Sequence, residues 1–223
     1  MSTLQSATQV PVQLRLRQYA LAVSVVGGPL AFLVGGMLSP TISRDGQTLI
    51  TANIKADQAL NVTHLWAFVV GSFLLPVSVL GLAQLVYRQS PKLAATGAVL
   101  GLVGWLPLAA LTALDGLIYT MAEQPGSTSY TGLLNAFYGG PMMMTFLIVY
   151  IVGHLLTYVL LGIALDRARA IPRWAAWAVV ASSPLTVLMF ALPGNPQAAG
   201  GVAIGLLVLG SIPAARRIGA RAS

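Results

Sequence analysis

The sequence predicts an all-α polytopic membrane protein, a bundle of six transmembrane helices with both termini in the cytoplasm. Three observations predict it. Composition is the first: 57% of the 223 residues are hydrophobic, only 8% are charged and the mean hydropathy is +0.81, where a soluble domain carries about 25% charge. The second is the length of the apolar runs. Met142 to Leu165 covers 24 residues without a formal charge, beyond the ~20 that cross ~30 Å of hydrocarbon at ~1.5 Å per residue. The third is charge placement. With six spans and a cytoplasmic N-terminus, the inner segments hold ten basic residues (Arg15, Arg17, Arg88, Lys92, Arg167, Arg169, Arg173, Arg216, Arg217, Arg221) and the outer segments two, Arg44 and Lys55. That asymmetry is the positive-inside pattern of a plasma-membrane (bacterial inner-membrane) protein, and one span more or fewer would destroy it.

The elements follow in order. Residues 1–17 are a polar cytoplasmic tail. Residues 18–38 form the first span, too long for a signal-peptide core and without a clear cleavage site. Residues 39–63 are the longest polar segment and are placed outside, with a turn at Asp45-Gly46 and a short amphipathic helix over Leu49 to Leu60 lying on the membrane. The second span covers 64–87 and the third 93–119, joined by a tight turn through Arg88 and Lys92. A polar loop follows at 120–131. Gly139-Gly140-Pro141 separates an interfacial or re-entrant turn at 132–138 from the fourth span, 141–165. The fifth span is 174–192, with Ser182-Ser183-Pro184 at its centre. Pro193-Gly194-Asn195-Pro196 reads as an abrupt turn into the sixth span, 198–213. A basic cytoplasmic tail, 214–223, ends the chain.

Composition also excludes functions. There are no cysteines, so disulfides, thiol catalysis, and Cys-ligated zinc or iron–sulfur centres are out. The pI near 10.3 does not indicate nucleic acid, because the basic residues sit in short inter-helix loops. No paired-histidine spacing argues for zinc and no glycine fingerprint for nucleotides. His64 and His154 fall at different depths, which disfavours one haem between them. Met142-Met143-Met144, without His or Cys support, reads as adaptable packing rather than a copper site. Gly126-Ser127-Thr128-Ser129 only partly matches an intramembrane serine-protease motif. No cofactor and no metal are expected.

The polar residues within the spans carry what functional signal there is. Topology puts Asp45, Asp57, Asp115 and Glu123 on the outer side and leaves only Asp166 inside. Asp115 sits inside an apolar run, and a carboxylate there faces a cavity or a partner. Tyr119 follows one turn later on the same face. His64 and Trp66 begin the second span, where the structural alternative is an interfacial anchor. Tyr150, His154 and Tyr158 share one face of the fourth span at i, i+4 and i+8. With Thr157, Ser182 and Ser183 they predict a polar knot near mid-membrane, either structural or part of a ligand site. Glu123, Asp45 and Asp57 read first as solvated loop residues, with a place at the outward pocket as the alternative.

The layout from His64-Leu-Trp through the Pro-Val-Ser-Val-Leu-Gly-Leu-Ala-Gln-Leu-Val-Tyr-Arg run, the Gly-Leu-Ile-Tyr after Asp115, and Asp166-Arg-Ala-Arg-Ala-Ile-Pro-Arg-Trp loosely resembles uncharacterised six-span membrane proteins common in actinobacteria. The resemblance implies the six-helix architecture and no activity. The expected function is binding or transport of a small lipophilic or amphipathic molecule, or a membrane lipid, through an outward-facing intramembrane pocket. Its candidate residues are Asp115, Tyr119, His64, Trp66, Glu123, Tyr150, His154, Tyr158, Ser182 and Ser183. One alternative is a membrane enzyme using Asp115 for acid–base chemistry on a lipophilic substrate, as in isoprenoid cyclisation. Another is the substrate-binding subunit of a vitamin transporter. The sequence leaves room for a homo-oligomer or a subunit of a larger membrane complex.

Overall fold

The computed structural model describes residues 11–191 and 196–222. The first ten residues of the expected tail, Ser223, and residues 193–195 of the expected turn before the sixth span lie outside the described residues. Among the described residues there are eight α-helices: α1 Val12–Leu38, α2 Gly46–Lys55, α3 Gln58–Val86, α4 Pro91–Ala122, α5 Thr131–Tyr138, α6 Pro141–Arg167, α7 Arg173–Ala191 and α8 Pro196–Gly219, with a 3-10 turn at Ser127–Tyr130. Among the described residues there is no strand. Five helices (α1, α3, α4, α6 and the Gly200–Gly219 part of α8) are long and apolar enough to cross a membrane.

Local chemistry sets the boundaries. Proline occupies the first position of α4 and of α6, where its missing N–H would be unpaired anyway. Asp45 and Asp57 are N-caps: each carboxylate accepts a backbone N–H three residues on, from Thr48 at 2.8 Å and from Leu60 at 3.0 Å. These caps correct two expectations. Asp45-Gly46 starts a helix instead of making a free turn. The amphipathic helix expected over Leu49 to Leu60 is two helices, because Ala56 and Asp57 break it and Asp57 starts α3. The expected break at Gly139-Gly140-Pro141 is present: α5 ends at Tyr138 and α6 begins at Pro141.

The six long helices close into a ring in the order α1–α3–α4–α6–α7–α8 and back to α1, each packing chiefly on its two neighbours. The two ends of this ring differ. At one end lie the α3–α4 and α6–α7 turns and the end of α8, with most of the arginines. Arg173 pairs with Asp166 at 3.2 Å and Arg217 donates to the Ala170 carbonyl at 2.7 Å. This half is filled by a core that includes Val25, Val79, Leu82, Val86, Leu161, Leu165 and Ile218. The other end is capped by α2 and α5, whose Leu49, Ile50, Leu134 and Tyr138 form a second core with Ile118 and Met143. The Gly46 N–H donates to Asn135 Oδ1 at 2.7 Å, and Asn61 Nδ2 donates to Asn53 Oδ1 at 2.8 Å. These bonds tie α2 to α5 and to α3.

The outer wall of the ring is apolar. Trp66, Phe73, Leu106 and Val99 all point away from the core, each at least 60% exposed. In water such a continuous surface would be an association site; around a ring of long apolar helices it is the face that meets lipid tails.

Candidate functional site in the capped half of the bundle

Between the arginine-end core and the cap, the ring is hollow. A cavity of about 670 Å³ lies there, within the size range of small-molecule sites. Its lining runs from the partly exposed 39–44 segment and Asn53 down to Tyr158, Ser182 and Ser183. On α4 both Asp115 and Trp105 face it; ten residues of helix separate them, or ~15 Å of rise. The space is therefore elongated along the bundle axis.

Close backbone packing positions one wall. Gly104 on α4 and Gly153 on α6 are in backbone contact: a Cβ built on Gly104 would meet His154 N at 2.5 Å and Gly153 C at 2.6 Å. Side chains could not approach so closely, and this is why small residues concentrate where membrane helices touch. The next residues on each helix, Trp105 and His154, are consequently neighbours, with ring centroids 4.9 Å apart. Tyr150 and Tyr158 stand 5.7 and 6.2 Å from the same indole. Phe32 of α1 packs edge-on to Trp105 at 5.2 Å, Phe68 lies 5.4 Å from Phe32, and His64 lies 4.8 Å from Phe68. A continuous aromatic chain thus crosses from α3 through α1 to α4 and α6.

The polar groups on this wall divide into satisfied and unsatisfied ones. His64 Nδ1 meets the Gly35 carbonyl at 2.8 Å, and His154 Nδ1 meets the Tyr150 carbonyl of its own helix. A carbonyl only accepts, so each Nδ1 carries the proton and each Nε2 is left as an unbonded acceptor. Ser183 Oγ donates across to the Leu155 carbonyl of α6 at 2.8 Å, and Ser182 Oγ donates to Val179 O at 2.7 Å. Thr157 donates to the Gly153 and Gly97 carbonyls. The expected polar knot is therefore not formed: none of these side chains bonds another, because helix carbonyls lie nearer than the neighbouring side chains. Two deeply buried groups, the Trp105 indole N–H and the Tyr158 hydroxyl, make no hydrogen bond of normal geometry; they lie close enough to act on each other, and Ser78 lies near the Tyr158 hydroxyl as well.

Asp115 is the one carboxylate in the lining. Among the described residues no hydrogen bond or ion pair reaches it. It lies near enough to Tyr138 and Tyr150 for its charge to act on both hydroxyls. Burial, reinforced by that charge, holds the Tyr138 hydroxyl above its usual range, so it stays neutral. Arg44, the only Lys or Arg among the described lining residues, is exposed at the rim, with Nη1 3.7 Å from Met144 Sδ.

Of the residues singled out from the sequence, Asp115, His64, Tyr150, His154, Tyr158, Ser182 and Ser183 line this one cavity. Tyr119 and Glu123 do not; the Tyr119 hydroxyl donates to Glu123 at 2.7 Å, and Gln58 Nε2 donates to that hydroxyl at 3.2 Å. Trp66 faces outward. The lining also includes Trp105, Phe32, Phe68 and Tyr138, which carry no sequence signal separating them from ordinary core aromatics. Comparisons with protein-family profiles, curated proteins and solved structures yield no match.

Proposed function

We propose that the protein is a six-span inner-membrane protein that binds or moves a small lipophilic or amphipathic molecule through this cavity. The supporting observation is the cavity itself: large, elongated, mostly apolar and lined by a few convergent polar groups, among them the Asp115 carboxyl, which has no partner among the described residues. The sixth span of this reading is α7, whose 19 residues rise ~28 Å and carry no charge after Arg173. Placing the arginine end in the cytoplasm follows the ten-to-two basic asymmetry. It puts α2, α5 and the rim of the cavity on the outer side, so the occupant arrives from the periplasm or the outer leaflet.

Native mass spectrometry of the gently solubilised full chain tests the reading. A retained molecule small enough for the cavity, lost when Ser183→Trp fills its deep end, is the expected result. No retained molecule from any detergent, with Ser183→Trp folded and indistinguishable from wild type, refutes it.

A second reading is a membrane enzyme. Its support is the unpartnered Asp115 carboxyl group near two tyrosine hydroxyls in a mostly apolar space, an arrangement suited to proton transfer with a lipophilic substrate. A chemically altered product released from the retained molecule on incubation separates catalysis from binding alone.

A further inference from the structure

We infer that the occupant of this cavity is an amphipathic cation, with Asp115 as its counter-ion and the aromatic chain as the bed for its apolar body. The inference rests on the pocket reading above and adds the sign of the ligand's charge.

Asp115 is a half-buried carboxyl group. To be ionised there it needs a compensating charge or several donors, and among the described residues it has neither. Arg44, the only Lys or Arg among the described lining residues, lies at the exposed rim with Nη1 3.7 Å from Met144 Sδ. The two imidazoles cannot substitute as donors to the ligand, since each commits its N–H to a backbone carbonyl and leaves an acceptor free. The cavity therefore offers a carboxyl group that a bound cation would hold ionised and, in the neutral imidazoles, two nitrogen acceptors. That complement matches a positively charged group, with or without N–H donors, and mismatches a carboxylate or phosphate.

The aromatic chain points the same way. Ring faces attract cations, and Tyr150 and then Trp105 are the rings a charge that leaves Asp115 would meet. The ~15 Å between the levels of Asp115 and Trp105 sets the shape. A charged head at the Asp115 level leaves room for an extended apolar body reaching Phe32 and Trp105. A purely inorganic cation would leave most of the space empty, and among the described residues no cluster of three metal-ligating side chains exists.

The test uses two ions of nearly equal size and opposite sign, tetraphenylphosphonium and tetraphenylborate. Equilibrium dialysis measures their binding to the detergent-purified full chain, to Asp115→Asn and to Asp115→Glu, each checked for monodispersity. The expected result is that phosphonium binds wild type more tightly than borate, that Asp115→Asn weakens phosphonium roughly tenfold or more, and that Asp115→Glu restores most of it. Equal or tighter borate binding, no phosphonium binding to wild type, or phosphonium binding indifferent to Asp115→Asn overturns the inference. Should Asp115→Asn fail to fold, the comparison of the two ions on wild type still decides. Borate binding, or a neutral or anionic molecule found by native mass spectrometry, removes the charge assignment and leaves the pocket reading standing. No bound molecule of any kind removes both.

Discussion

Substituting Gly104 by alanine probes the contact on which the site is built. A Cβ at that position lies 2.5 Å from His154 N and 2.6 Å from Gly153 C, about 1 Å inside van der Waals contact. Both obstructing atoms are backbone of α6, so no side-chain rotation relieves the clash; the two helices must separate locally. Forcing one extra methyl into a packed contact costs about 1–3 kcal/mol. For a chain of this size that corresponds to a fall in Tm of about 2–12 °C. The same helix supplies a control. A Cβ on Gly116 meets nothing within 4 Å, so Gly116→Ala removes only the flexibility of glycine and is neutral or stabilising by up to about 1 kcal/mol. Thermal unfolding of both variants in one detergent, followed by tryptophan fluorescence, compares them directly. Separation of α4 from α6 also moves Trp105 away from His154, so Gly104→Ala is expected to lose the retained molecule while Gly116→Ala keeps it. A Gly104→Ala protein that melts at or above wild type would refute the backbone contact and, with it, the stated origin of the aromatic wall.

Three further outcomes are expected. Ser183→Ala removes the single side-chain bond from α7 to the Leu155 carbonyl and should cost about 0.6 kcal/mol, read as a small drop in Tm; a drop larger than that of Gly104→Ala would contradict it. The hydrogen bonds from Thr48 hold the Asp45 carboxyl below its usual pKa, so its cap is intact above the ordinary carboxylate range and is lost as pH falls through the lowered value. Hydrogen-exchange protection factors across α2, corrected for the intrinsic pH dependence of exchange, should therefore fall on acidification below that range in wild type and be low at all pH values in Asp45→Ala, whereas protection that is high and unchanged with pH in both would exclude the cap. Because the chain has no cysteine, single-cysteine variants report orientation directly: Gln124→Cys at the capped end should react with a membrane-impermeant maleimide in intact cells and Gln89→Cys at the arginine end should not, and the reverse labelling would invert the proposed topology.

Much of this protein is written in its linear order, and the reason is the solvent. A bilayer demands that each backbone group be paired within its own segment, so helices are the only spanning solution for long apolar runs. The Gly139-Gly140-Pro141 break and the arginine-rich turns were legible for the same reason: they are local. The cap aspartates were not, because Asp45-Gly46 serves a turn or a helix start equally well until the chain on either side is placed. Asp115 stood out because a carboxylate amid apolar residues is costly wherever it lies. What it faces was beyond the sequence. That depends on the ring order of six helices and on the Gly104–Gly153 contact, which joins residues 49 positions apart. Helical periodicity put Asp115 and Tyr119 on one face, yet helix packing sent Tyr119 outward to Gln58 and Glu123 and left Asp115 alone at the cavity. Trp105, Phe32 and Phe68 carried no distinguishing mark in the sequence, since an aromatic residue in a membrane helix packs as readily against lipid as against a ligand. Composition and local pattern determined where this chain resides and how often its helices turn; only the packing of those helices decided that half of the bundle is filled and the other half is hollow, because a void depends on side-chain volumes from distant segments meeting in space.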